Sequence, residues 1–120
     1  FGQHWSAWEN ALASIASDGI SARAPADYAR TFARLENHYF INNGFLEDKD
    51  TILKNMDKIA DIPGHIVQGR FDMICPPTSA FKLFETWPKA KIKLVPQAGH
   101  AMSEPGISSE LVRITNELAS

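Results

Sequence analysis

Two residues capable of acid–base chemistry stand at matching places in the second half of the chain. Asp72 appears just where a short apolar run, "HIVQ" at 65–68, gives way to "GRFDMICPP" at 69–77. His100 appears where a second run, "KIKLV" at 91–95, gives way to "PQAGH". An imidazole whose Nδ1–H donates to a carboxylate is held in one tautomer, and its other nitrogen can then take a proton from a nucleophile. An acid and a histidine at the ends of successive strands thus read as two members of a catalytic set whose third member must be sought. The residues alone leave an alternative open, with Asp72 a turn or helix-capping residue and His100 a loop histidine.

The elements that would position this pair follow from periodicity. "HIVQ" and "KIKLV" are short β-prone runs, and "PPTSAFKLFETWP" between them has the length of a helix. Pro76 and Pro77 suit its start, and Pro88 lies just past its end. Strand, helix and strand at this spacing predict a right-handed βαβ unit with parallel strands. A last helix carries Ile107, Leu111, Ile114 and Leu118. Upstream, Trp5, Trp8, Leu12 and Ile15 mark a helix over 5–16, and "SDGISARAP" reads as a connection. Tyr28, Phe32, Leu35 and Tyr39 mark a second helix over 26–41, stopped by "NNG" at 42–44. On its adjoining stripe Glu36 and Phe40 stand one turn apart on the same side. Asp50 is positioned to cap a third helix whose stripe is Ile52, Met56 and Ile59. Two segments result, helical over 1–60 and α/β over 61–120.

This layout has a physical deficit. Parallel strands sit in sheets with both faces covered and neighbours on their edges. Two alone leave open edges, so the chain is expected to be the C-terminal part of a larger α/β protein, or to pair edges with a second copy of itself. Its first residue is Phe1, not Met, as a truncated or processed chain would have.

Composition narrows the partners. The 120 residues carry 44% hydrophobic and 22% charged side chains, with a net charge of −2 and a pI near 6.1. No basic cluster tracks phosphates, and no run is long enough to span a membrane, so neither nucleic acid nor membrane is expected. Cys75 is a lone cysteine, which excludes an internal disulfide framework and a multi-cysteine zinc site. His4, His38, His65 and His100 have no metal-ligand spacing, and neither metal nor cofactor is expected. A free cysteine without a targeting signal is compatible with the cytoplasm.

Four motifs in order, "FARLENHYF" at 32–40, "GRFDMICPP" at 69–77, "WPKAK" at 87–91 and "AGHAMSEPG" at 98–106, resemble the prolyl aminopeptidases, or proline iminopeptidases. The likeness runs over essentially the whole chain from "WE" at 8–9. It implies an α/β class, specifically the C-terminal part of an α/β-hydrolase fold: a helical cap segment, then a βαβ unit and a C-terminal helix. The order acid then histidine is the one that this fold uses after an earlier nucleophile. By resemblance Asp72 is the triad acid and His100 the triad histidine. Glu36 and Glu9 resemble cap carboxylates that hold the free amino group of a peptide with N-terminal proline. Phe40 and Cys75 resemble residues lining the apolar pocket for its ring. The residues alone also allow Glu36 as a surface glutamate pairing with Arg34, and Cys75 as a small buried hydrophobe.

The nucleophile is not found. "GISAR" at 19–23 and "GISSE" at 106–110 both lack the closing glycine of a Gly-x-Ser-x-Gly elbow, and Ser103 follows the histidine. The chain therefore reads as half of an active site, inactive by itself and completed by the missing N-terminal core of the same protein. Two alternatives stay open: part of another α/β-hydrolase such as an esterase or epoxide hydrolase, and a non-enzymatic association module.

Overall fold

The computed structural model describes residues 1–15 and 24–120. In chain order these form α1 (Gly2–Ala13), α2 (Ala26–Ile41), α3 (Thr51–Lys54), β1 (Gly64–Gly69), α4 (Pro77–Thr86), β2 (Ala90–Val95) and α5 (Pro105–Leu118). No helix among them is long and apolar enough to cross a membrane.

The βαβ expectation holds. β1 and β2 pair in parallel, from Gly64 opposite Ala90 to Gly69 opposite Val95, as a two-stranded sheet among the described residues. Pro77 opens α4 at its first position, where the missing N–H costs nothing. Trp87 closes the crossover by donating its indole N–H to the Ile62 carbonyl at 2.9 Å. Its ring lies so close under Gly64 that a Cβ there would fall 2.3 Å from the indole. Val95, Ala98 and Ile107 form the buried core of this half, with Val67 and Leu111 packed on it. This arrangement agrees with the expected C-terminal part of an α/β-hydrolase fold.

The helical half differs from the periodic reading in three places. α1 starts at Gly2 and ends at Ala13, short of the Ile15 that the stripe included. Position 16 of that expected helix, and most of the expected connection, fall outside the described residues. In α2 the stripe that packs on α1 is the small one: Ala29 and Ala33 are buried, while Tyr28, Leu35 and Tyr39 are exposed. Close approach explains this, since even a Cβ on Gly2 would sit 3.1 Å from the Ala29 carbonyl oxygen. The third helix breaks after one turn, and Met56–Ile59 continue as a 3-10 helix that buries Met56.

α2 ends where expected, and the means are visible. Asn43, Gly44 and Phe45 all take positive φ, at 50°, 64° and 59°. Glycine and asparagine tolerate this region, but phenylalanine does not readily. The Phe45 ring packs at 5.5 Å from Tyr39 and 5.3 Å from His38, contacts that hold it there.

Backbone fit at the strand ends does most to place the candidate chemistry. The Phe71 N–H donates to Ala98 O at 2.9 Å, joining the segment after β1 to the one after β2. Gly69 lies beneath Gly99 so closely that a Cβ would stand 1.9 Å from the Gly99 carbonyl oxygen. Backbone cannot yield as a flexible side chain does. Gly69→Ala is therefore expected to destabilise the protein by about 3 kcal/mol, read as a lowered urea midpoint with an unchanged slope. An unchanged midpoint would mean that the two segments are not held this tightly.

Candidate active site

Asp72 sits at the mouth left by β1, 7% exposed, with both carboxylate oxygens in use. Oδ1 accepts the backbone N–H groups of Ile74 at 3.0 Å and Cys75 at 2.7 Å. Oδ2 faces His100 Nδ1 at 3.0 Å and accepts from Gln68 Nε2 at 3.2 Å. One oxygen thus serves the turn and the other faces the histidine and Gln68. Burial works to raise the Asp72 pKa, but the Cys75 N–H, the His100 ring and the Ile74 N–H together hold it below the ordinary carboxylate value. Asp72 is therefore an anion at neutral pH, as an acceptor for an imidazole N–H must be.

His100 follows β2 on the segment that crosses Gly69, and its side chain is 39% exposed. With Nδ1 turned to Asp72, Nε2 is the nitrogen left for an incoming group. A base held by a buried acid, with its second nitrogen free to meet another group, is the geometry of general base catalysis.

The carboxylates of the helical half gather nearby. Glu9 lies on α1 and Glu36 on α2, two helices packed on each other. The Glu9 pKa is raised, first by burial and then by the negative charge of Glu36, while His100 acts to lower it. Glu9 therefore stands within electrostatic reach of both Glu36 and the histidine. Glu36 does not pair with Arg34 across the helix surface. Its Oε2 accepts the Trp5 indole N–H at 2.6 Å, which fixes it toward α1.

Cys75 and Phe40 take exposed positions. Cys75 follows Asp72 in the turn, and burial, then Asp72, then Glu9 push its thiol pKa upward. A thiol so disfavoured as thiolate is a poor nucleophile. Phe40 stands one turn beyond Glu36 on α2, 61% exposed.

None of the serines considered forms an elbow among the described residues. "GISSE" at 106–110 lies within the first turns of α5, and Ser103 lies in the turn before it. "GISAR" at 19–23 lies outside the described residues.

Two residues here escaped the reading of the sequence. Gln68 donates to Asp72 Oδ2, to Gly69 O at 3.1 Å and to Cys75 O at 3.1 Å, pinning the turn that carries the acid. A polar side chain closing an otherwise apolar strand run was its only signal. Trp5 appeared only as a member of an apolar stripe, and its N–H had no visible destination 31 residues away.

Comparison with known proteins bears on this arrangement. No family model matches the chain. The chain is 44% identical over 117 residues to a proline iminopeptidase of Xanthomonas citri, covering 96% of this chain and 37% of that protein. It is 44% identical over 115 residues to one of Arabidopsis thaliana, covering 94% of this chain and 30% of that protein. A proline iminopeptidase of Neisseria gonorrhoeae is 40% identical over 114 residues, covering 95% and 36%. The resemblance carried by the four motifs is thereby borne out along nearly the whole chain, which spans between 30% and 37% of the length of these relatives.

Proposed function

We propose that this chain, a relative of the proline iminopeptidases over about a third of their length, is the C-terminal portion of a serine aminopeptidase that releases N-terminal proline. In this reading His100 Nε2 takes the proton of a serine supplied by the preceding part of the hydrolase core. Nδ1–H meanwhile donates to Asp72, which stabilises the imidazolium as it forms. The serine oxygen attacks the prolyl carbonyl, the leaving amine takes the proton from Nε2, and water then releases proline from the acyl-enzyme. Glu9 and Glu36 hold the prolyl ammonium, and Phe40 and Cys75 border its ring.

One observation carries the reading: the His100 of the Asp72–His100 pair at 3.0 Å acts on Glu9, a carboxylate that in turn feels Glu36 on the adjoining helix. An esterase pocket for a neutral acyl group gains nothing from two anions, whereas a peptide amino terminus does. By itself the chain has a base and its acid but no elbow serine among the described residues, so its partner is the remainder of the core. Without it the two open strand edges favour self-association.

The test uses the chain alone and a graft in which it replaces the matching segment of the Xanthomonas citri proline iminopeptidase. The chain alone is expected to release no proline from a prolyl arylamide, and the graft to release it. A folded graft without turnover, or an active isolated chain, would refute this division of the site.

A further inference from the structure

Glu104 is a carboxylate that neither the acid–base pair nor the amine-binding pair accounts for. It is 4% exposed and occupies the cap position directly before α5, where an acidic side chain ordinarily accepts N–H groups of its own helix. Glu104 makes no such bond. Its Oε1 instead accepts the Ser14 hydroxyl at 2.6 Å and the Ile15 backbone N–H at 2.9 Å, 90 and 89 residues earlier in the chain. A buried carboxylate turned away from its own helix is held by what it does for the other segment.

That segment is the end of α1, and a second set of bonds joins it to the histidine. The Ala13 carbonyl accepts the backbone N–H groups of both His100 and Ala101, each at 2.7 Å. Gly99 permits the approach, since a Cβ there would stand 2.9 Å from the same carbonyl oxygen. The Glu104 N–H in turn donates to Ala101 O at 3.0 Å, closing the loop between the two anchor points. Residues 13–15 are thus fastened to residues 100–104 by four hydrogen bonds, two to backbone and two to one carboxylate. One turn back on α1 is Glu9, and through Trp5 the same helix holds Glu36.

We propose that Glu104 is a positioning residue that fixes the spacing between the amine-binding carboxylates and the catalytic histidine. The inference rests on the aminopeptidase reading above. In an exopeptidase, the distance from ammonium to scissile carbonyl is set by the substrate, one residue long. The protein must match it between Glu9 and Glu36 on one side and His100 on the other. Those groups come from separate halves of the chain, and Glu104 joins the halves where they meet. The spacing is worth holding, because small misplacements of a bound substrate are costly in rate.

The test uses the graft with Glu104→Ala, Glu104→Gln and Ser14→Ala. Glu104→Gln keeps an oxygen that can accept both donors and is expected to behave as the parent. The two alanine variants are expected to lose roughly 10- to 100-fold in kcat/KM on a prolyl arylamide. On an activated ester without an amino group they should stay within about twofold, since that substrate is not measured from the carboxylates. Should Glu104→Ala fail to fold, Ser14→Ala takes away the hydroxyl donated to Glu104 and decides the matter.

A second readout is independent of turnover. In the parent graft, His100→Ala is expected to raise the titration midpoint of the 13C-labelled Glu9 carboxyl, because the interaction with His100 that acts to lower it is lost. In a Glu104→Ala or Ser14→Ala background this response should vanish. Equal losses on both substrates, or a Glu9 response unaltered by the alanine variants, would overturn the proposal. A parent graft that releases no proline refutes the aminopeptidase reading instead, and the Glu9 titration still decides the clamp.

Discussion

The graft carrying Asp72→Asn is expected to turn over prolyl arylamide roughly 10⁴-fold more slowly than the parent graft. The reason lies in how the two oxygens of Asp72 are used. Oδ1 faces two backbone donors, those of Ile74 and Cys75, and Oδ2 faces the His100 ring and the Gln68 amide. An asparagine has one oxygen for two sides that both donate. With the oxygen toward the turn, its NH2 confronts the imidazole, which answers by moving its proton to Nε2. The nitrogen meant to accept from the nucleophile then cannot. With the amide flipped, NH2 confronts the Ile74 and Cys75 N–H groups, and the turn itself loosens. Neither orientation restores the parent site.

His100→Ala should lose a similar factor, and the double variant little more, because the two residues act as one unit. Stability supplies an independent check on Asp72. Its folded pKa is depressed, so its stabilisation is complete above the ordinary aspartate value of about 3.9 and is lost as pH falls through the lower folded value. The gap in urea midpoint between parent and Asp72→Asn should therefore be widest near neutrality and close in acid. An Asp72→Asn graft within tenfold of the parent kcat would remove Asp72 from the role of triad acid.

How much of this was readable from residues depends on the range of the interaction. Asp72 and His100 stood out because strand ends are marked locally, by an apolar run meeting "GRFD" or "AGH". The parallel strands were legible for the same reason, since Pro76, Pro77 and Pro88 bracket a spacer of helical length. What periodicity could not supply is which stripe of a helix finds a neighbour. Tyr28, Leu35 and Tyr39 carry the more apolar stripe of α2, yet Ala29 and Ala33 face α1, where only small side chains fit. Gln68, Trp5 and Glu104 stayed hidden for a related reason. Each is an ordinary polar or amphipathic side chain whose role is set by its acceptor or donor. For Trp5 and Glu104 that partner lies 31 and 90 residues distant, a pairing that only the tertiary fold creates.

The other large effect concerns the substrate's amino group. The graft should hydrolyse a free prolyl arylamide at least 100-fold more efficiently than its N-acetylated form. Each charge-assisted bond is worth about 1.5–3 kcal/mol, and acetylation takes the ionic partner from Glu9 and Glu36 together. Glu9 makes the point sharper, because its pKa is raised by burial and by Glu36. Two carboxylates that repel each other in the empty protein are stabilised when an ammonium arrives between them. Efficiency on the free amine should therefore rise with pH as Glu9 ionises, above the ordinary glutamate range, and proton release should accompany binding. Stability runs the other way. An acid whose folded pKa is raised favours the fold while protonated, so stability is lost as pH climbs from the ordinary value through the raised one. Glu9→Gln removes that penalty. At neutral pH it should raise the urea midpoint while lowering kcat/KM on free prolyl substrate roughly 10- to 100-fold, and leave an amine-free ester nearly untouched. Stability spent on holding two anions together is the mark of a site built for a cation. A Glu9→Gln graft that is no more stable, or one that cleaves the acetylated substrate as readily as the free amine, would mean that the carboxylates face one another for some other reason.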